Sequence, residues 1–358
     1  MSLSEETIFR FLLVTSILSV GVSFYHCSPD NCKLPECQCL SCDPPNGLNI
    51  AETPQFVLLS FDDAVTQNNF KFFTEIFSDG LKNPNDCLIS ATFYVSDELN
   101  TNYKLVETLF QDGNTISSHS STHRFPQSWW ITASETQLAA EFDGQRRVLA
   151  LRGHIPYQKI MGMRIPFLQQ GGNTPYRMAQ SYRFKYDSSF VTGPNNHRGF
   201  LNYRPPWPFT LNHQPGRSVF PFICDIGPCP TESFPGLWEI PLVRMLGPNG
   251  QTCAMADGCK TTSATETYDF LMNNFQRHYN GNRAPFGINL HATWFERNPH
   301  ALPALRRFLR EMSTHKDVWV VGAEMLIDWA RNPIPNRALS THVPWKYARG
   351  CRRECDCK

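Results

Sequence analysis

Gln55-Phe56-Val57-Leu58-Leu59-Ser60-Phe61-Asp62-Asp63-Ala64-Val65 runs from an apolar segment straight into two adjacent carboxylates. The apolar part reads as a strand over 56–60, and the aspartates close it. Further along, His119 and His123 follow a second short strand-like segment at 115–118. A mononuclear metal hydrolase needs a few ligands that leave one coordination position open for water, and a base that does not bind the metal. Asp63, His119 and His123 can supply the ligands, which leaves Asp62 as the base.

Outward from this stretch, short apolar runs alternate with amphipathic ones in a βα rhythm. A helix is predicted over 68–78, where Phe70, Phe73 and Phe77 fall on one face as core residues. Strands follow at 91–95 and 115–118, with a helix at 103–112 ended by Gly113 between them, and then a helix at 134–151 opened by a Ser-x-x-Gln cap. Further strands are predicted at 161–165, 184–187, 238–242, 286–290 and 318–321, and helices at 265–279, 301–314 and 323–332. The pattern predicts an α/β fold, a distorted (β/α) barrel, with an open doubly wound sheet as the alternative. The polar residues favour the barrel, because Asp62, Asp63, His119, His123, Arg164, Asp187 and His291 each fall at or just past the C-terminal end of a predicted strand. In a barrel those ends share one face, the one that carries chemistry. Residues 192–236 break the rhythm with a long proline-rich ordered loop around Trp207, pinned by Cys224 and Cys229 and expected to wall the binding cleft.

A chain of 358 residues, 41% hydrophobic and 18% charged, has ample material for one large core. Its 33 basic and 32 acidic residues leave no electrostatic footprint for nucleic acid or an anionic membrane. Residues 1–23 read as a signal peptide, and 24–48 as a cysteine-rich segment. A catalytic domain is expected over 49–345, followed by a cysteine-rich tail at 346–358. The 13 cysteines point to an oxidising compartment, hence to a secreted protein with bridged termini and no membrane contact after leader cleavage. Cys27, Cys32, Cys37, Cys39 and Cys42 cluster at one end and Cys351, Cys355 and Cys357 at the other, so the two ends could be tied together; Cys87 stands alone.

Taken in order, Ser-Phe-Asp-Asp-Ala at 60–64, Ser-His-Ser-Ser-Thr-His at 118–123, Arg-Ile-Pro-Phe-Leu at 164–168 and Leu-His at 290–291 resemble the motifs of the polysaccharide deacetylase (NodB-homology, carbohydrate esterase) family. Trp207-Pro208-Phe209-Thr210-Leu211 and Phe234-Pro235-Gly236-Leu237-Trp238-Glu239-Ile240-Pro241-Leu242 add a resemblance to its insect chitin deacetylase-like branch, to members without a chitin-binding domain. The resemblance covers the chain from about Cys27 to Lys358. It implies that Asp63, His119 and His123 hold zinc, with another divalent cation as the alternative. It also implies that Asp62 is the base, that Arg164 orients it and that His291 protonates the leaving amine. Pro166 and the following N–H would form part of an oxyanion hole, with Phe167 standing where the family commonly has tyrosine. Asp187 is expected to pair with His291, Glu239 being the runner-up. Trp207 and Leu290 would line the acetyl pocket, and Trp129 and Trp130 would stack on sugar faces. The implied activity is hydrolysis of the N-acetyl groups of chitin or N-acetylglucosamine oligosaccharides by a secreted monomer, with release of acetate. The alternative is a weakly active or inactive chitin-binding, matrix-organising protein.

Overall fold

The computed structural model describes residues 27–214, 223–342 and 351. The expected leader and all of the expected tail but Cys351 lie outside the described residues. Nine strands form the main sheet: β1 (Gln55–Asp62), β2 (Thr92–Val95), β3 (Thr115–Ser118), β4 (Gly162–Met163), β5 (Tyr186–Asp187), β6 (Phe209–Thr210), β7 (Trp238–Glu239), β8 (Phe286–His291) and β9 (Val318–Val320). Their order is β8-β1-β2-β3-β4-β5-β7-β6, with β9 also against β1. Every pairing is parallel except that of β6 with β7. The sheet curls into half a barrel, and no described strand joins β8 to β6.

Alternation along each strand sorts side chains to two faces. From β1, Val57, Leu59 and Phe61 point to the helical layer, where the Phe61 ring lies 4.8 Å from Phe73 and 5.1 Å from Phe93. Leu58 and Ser60 instead line the concave interior with Thr92, Tyr94, Arg164, Gly287 and Asn289. Gly162 belongs to that interior by necessity, since a Cβ there would sit 2.0 Å from the Tyr186 ring. Helix Gln67–Phe77 starts on a Thr66/Asn69 capping box and buries Phe73, with Phe70 and Phe77 half-buried against the same core. Helix Glu135–Arg152 starts on the Ser134/Gln137 box expected from sequence. Helix Thr174–Ser181 was not foreseen.

The proline-rich segment divides between two tasks. Trp207 is 1% exposed and packs on Trp329, which in turn meets Phe56 at the start of β1, whereas Asp62 ends that strand. Six residues at about 3.3 Å each separate the two positions by roughly 20 Å. Trp207 therefore plugs the end of the half-barrel opposite the aspartates and lines no acetyl pocket; a large ring with apolar neighbours is held there by burial, worth about 2–3 kcal/mol. Further on, the Cys224–Cys229 disulfide closes a turn whose Gly227 and Pro228 carbonyls accept bonds from Gln169 Nε2 (2.8 Å) and the Gly172 N–H (2.8 Å). This half of the segment braces the chain that follows Arg164.

The N-terminal cysteines pair among themselves, Cys27 with Cys39 and Cys32 with Cys37. Among the described residues no bridge ties the two termini together. Cys87 does not stand alone, because it pairs with Cys351 across 264 residues and straps the tail to the 82–88 turn. Cys42 is a free thiol, and Cys355 and Cys357 lie outside the described residues.

Candidate metal and active site

Sheet register puts Asp62 directly beside His291, both as the last residues of their strands. Adjacent residues of an extended chain face opposite ways, so Asp63 needs a break in the strand to stay on the same side as Asp62. It has one, with φ of +80°. The 118–123 segment turns as sharply, with Ser120 at φ +73° and His123 at +46°. Its loop is held by Glu141, whose carboxylate accepts from the N–H groups of Ser121 (3.0 Å) and Thr122 (2.9 Å) and from the Thr122 hydroxyl (2.7 Å). Left-handed backbone at three non-glycine residues costs free energy that the surrounding bonds must offset. Its effect is to bring the two imidazoles and one carboxylate to a single point.

At that point Asp63 Oδ1 lies 3.6 Å from His119 Nε2 and 3.7 Å from His123 Nε2, and the ligand atoms of the three residues lie within 4.8 Å of one another. His119 Nδ1 is 2.8 Å from the Arg164 carbonyl, which can only accept, so Nδ1 carries a proton and Nε2 is the nitrogen turned toward Asp63. Burial and then the neighbouring His119 pull the His123 imidazole down to about 4, so it is neutral. Asp63 Oδ1 is buried and has no hydrogen-bond donor. A carboxylate oxygen that lacks a donor and faces two imidazole nitrogens is the donor arrangement of a cation site. The 3.6 and 3.7 Å spacings are near the edge of about 3.3 Å expected between ligands of tetrahedral zinc. The residues fit a divalent metal.

Behind this cluster, Arg164 is 1% exposed and uses its whole fork. It donates to Asp62 Oδ1 (2.6 Å), Ser60 Oγ (3.0 Å), Asn289 Oδ1 (3.0 Å), Ser188 Oγ (3.0 Å) and the Ser188 carbonyl (2.7 Å), and its guanidinium covers the Tyr94 ring at 3.9 Å. Burial alone would push the Asp62 carboxyl up, but the Arg164 charge, with His119 and His291, outweighs it and holds Asp62 below its ordinary range. Asp62 is thus a buried, ionised carboxylate 3.8 Å from His119 Nε2.

The partner of His291 is Asp257, not Asp187. His291 Nδ1 lies 2.8 Å from Asp257 Oδ2, leaving Nε2 to face Asp63 at 3.9 Å. Burial pulls the imidazolium down, but the Asp257 bond and charge, then Asp62 and Asp63, push it up to about 9. Asp257 sits in the short turn Ala256–Gly258, closed by the Cys253–Cys259 disulfide. The disulfide-closed Asp-Gly turn was the only sequence signal that could have pointed to it. Asp187 is fully buried and faces the helical layer with Met163 and Glu239, its register neighbours, so it cannot reach the concave side.

The same alternation removes Leu290 from the site. It is 0% exposed in the helical-side core, one residue out of phase with Asn289 and His291. Trp130 is buried against Phe142 with its Nε1 donating to the Arg124 carbonyl (2.9 Å), and Trp129 is half-buried under the Arg124 guanidinium. Trp130 offers no free ring face to a sugar. The exposed aromatic at the rim is Phe125, 74% accessible, 5.0 Å from Phe167 and two residues past His123. Phe167 meets the His123 ring at 4.6 Å and stands at φ +58° directly after Pro166 in the turn Pro166–Leu168.

Residues 50–184 match the polysaccharide deacetylase family. Chitin deacetylase 8 of Bombyx mori is 39% identical over 313 residues, covering 86% of this chain and 79% of that protein. Chitin deacetylase 1 of the same species is 32% identical over 333 residues, covering 89% of this chain and 59% of that one. A Mycobacterium smegmatis crystal structure described as a polysaccharide deacetylase superposes with a TM-score of 0.55 at 16% identity, covering 82% of this chain and 95% of the other, which bears on the fold alone. On the identity and coverage of these relatives, the chain belongs to the polysaccharide deacetylase family and is homologous to the chitin deacetylases of Bombyx mori.

Proposed function

We propose that this protein is a secreted, metal-dependent deacetylase that hydrolyses N-acetyl groups of chitin or its oligosaccharides. The observation that carries the reading is the orphaned Asp63 oxygen facing two imidazole Nε2 atoms beside an arginine-held carboxylate. Asp63, His119 and His123 would hold a divalent cation, zinc by the donor set. When bound, it supplies Lewis acidity for the acetyl carbonyl and acidifies the attacking water.

The remaining work belongs to the chain. Asp62, kept ionised and fixed by Arg164, takes a proton from the water as its oxygen bonds to the acetyl carbon. The Leu168 and Gln169 N–H groups are used within their own turn, to the Ile165 (3.0 Å) and Pro166 (3.1 Å) carbonyls, so the Phe167 N–H is the donor assigned to the oxygen of the tetrahedral adduct. His291, protonated and oriented through Nδ1 by Asp257, gives its Nε2 proton to the departing nitrogen as the C–N bond breaks. Acetate and a free amine result.

Support for a sugar polymer comes from the homologous chitin deacetylases and from the exposed Phe125 beside the cluster, an apolar face of the kind that packs on pyranose rings. Five disulfides among the described residues, with the apolar leader, support secretion. No helix among the described residues is long and apolar enough to cross a membrane. Acetate release from chito-oligosaccharides, measured with and without a chelator and after zinc is restored, tests the reading. Release that is lost with chelator and regained with zinc is expected; release indifferent to chelator would overturn it.

A further inference from the structure

Asp187 and Glu239 are side-by-side residues of β5 and β7, and both are 0% exposed beneath helix Thr174–Ser181, on the face of the sheet away from Asp62. Their hydrogen bonds are unequal. Asp187 Oδ1 accepts from the Ser189 hydroxyl (2.6 Å), and Oδ2 from the Tyr176 hydroxyl (3.1 Å), which it shares with Gln170. Glu239 Oε1 accepts from the N–H groups of Phe190 (3.0 Å) and Ser189 (3.3 Å), but Oε2 is buried and meets no donor. Across the register from Glu239 stands the Asp187 carboxyl, and the two side chains are hydrogen-bonded to each other. Two carboxylates in contact without solvent repel strongly, and a proton between them turns that repulsion into a hydrogen bond.

We propose that Asp187 and Glu239 share one proton, with Glu239 the acid and Asp187 the carboxylate, and that this pair positions the 188–190 turn that holds Arg164. The placement of the proton follows from the donors. Burial raises the Asp187 carboxyl to about 6, opposed by the Ser189 and Tyr176 hydroxyls on its two oxygens and by the Arg164 charge; Glu239 has two amides on one oxygen and no donor on the other, and burial with the Asp187 charge raises it well above the ordinary carboxyl range. The other titratable group facing the pair, Tyr176, is a phenol that burial raises well above its ordinary range, so it stays a neutral donor.

The consequence for the site runs through the turn. The Ser189 hydroxyl that donates to Asp187 also accepts the Ile165 N–H (2.8 Å), so the backbone just after Arg164 is tied to the pair. The Ser188 carbonyl and hydroxyl receive the far side of the Arg164 fork, and the Ser188 hydroxyl is itself anchored on the Ile240 carbonyl (2.9 Å). Asp187 and Glu239 are positioning residues that touch no substrate. Their role in turnover rests on the functional reading above; the shared proton does not.

The test compares Glu239→Gln with Glu239→Ala in the full chain. Glutamine keeps an N–H where the acid had its O–H, so Glu239→Gln is expected to release acetate within about twofold of wild type, while Glu239→Ala loses about tenfold in kcat with its metal content unchanged. Thermal unfolding against pH reads the proton without turnover. Glu239, whose proton is held more tightly in the folded chain, contributes stability that is complete below the ordinary carboxyl range and is lost as pH rises above it. Glu239→Gln should flatten that decline. A glutamine variant as damaged as the alanine one, or an unfolding profile whose alkaline decline it leaves unchanged, would overturn the shared proton. If Glu239→Ala does not fold, the pH profile of Glu239→Gln decides alone. A wild type that releases no acetate yet shows the flattened profile in Glu239→Gln would refute the functional reading and uphold the pair.

Discussion

Replacing Asp257 with asparagine isolates one task in the proposed reaction. The Asp257 Oδ2 to His291 Nδ1 contact, at 2.8 Å and about two-thirds shielded from solvent on the histidine side, is a charge-assisted hydrogen bond. Such bonds are worth about 1.5–3 kcal/mol. At about 1.4 kcal/mol per pH unit, removing the charge should lower the His291 titration by one to two units from about 9. Asparagine still offers an oxygen to the Nδ1 proton, so the ring keeps its orientation and Nε2 its aim. A protonated His291 is the form that donates to the leaving amine, so rate is lost as pH rises through its titration point. Acetate release by Asp257→Asn should match wild type to within a few-fold at acid pH and fall away one to two units earlier on the alkaline side, with metal content unchanged. Asp257→Ala, which also frees the ring, should lose rate at every pH. An alkaline limb that stays put in Asp257→Asn would refute the assignment of both residues.

Arg164→Lys keeps a charge but offers at most three donors where the guanidinium makes five contacts; kcat should fall about tenfold to a hundredfold and the midpoint of thermal unfolding by about 3–8 °C, both readable on one preparation. Phe125→Ala removes the exposed ring at the rim, so KM for chito-oligosaccharides should rise about fivefold while kcat for a minimal N-acetyl substrate and the metal content stay as they were. The paired Cys87→Ser, Cys351→Ser variant releases a loop of 264 residues, for which the chain-entropy estimate is about 5–6 kcal/mol as an upper limit. It should unfold at lower temperature while retaining its metal and its activity at room temperature.

Much of the fold was legible because burial leaves period-specific marks. The spacing of Phe70, Phe73 and Phe77, the Ser134/Gln137 box and the apolar run ending at Asp62 each predict an element that the structure contains within a few residues. Helix Thr174–Ser181 left no such mark, being short, polar and opened by proline at its second position. The side chains were harder. Strand ends named the right neighbourhood, but period-two alternation decides which face a residue serves, and one residue of phase sends Asp187 and Leu290 into the helical side. Trp207 was misplaced because a run of prolines says where a chain is irregular and not which end of the sheet it covers. Asp257 was missed because its position depends on a disulfide-closed turn far from any predicted strand end.

Metal content is the most direct test of the central claim. Purified wild-type protein, dialysed against excess zinc and then washed, should retain about one equivalent. Asp63→Asn and His119→Ala should retain almost none, and Asp62→Asn should stay loaded while releasing no acetate. Zinc held undiminished by Asp63→Asn, or lost from Asp62→Asn, would contradict the division of labour between the two aspartates.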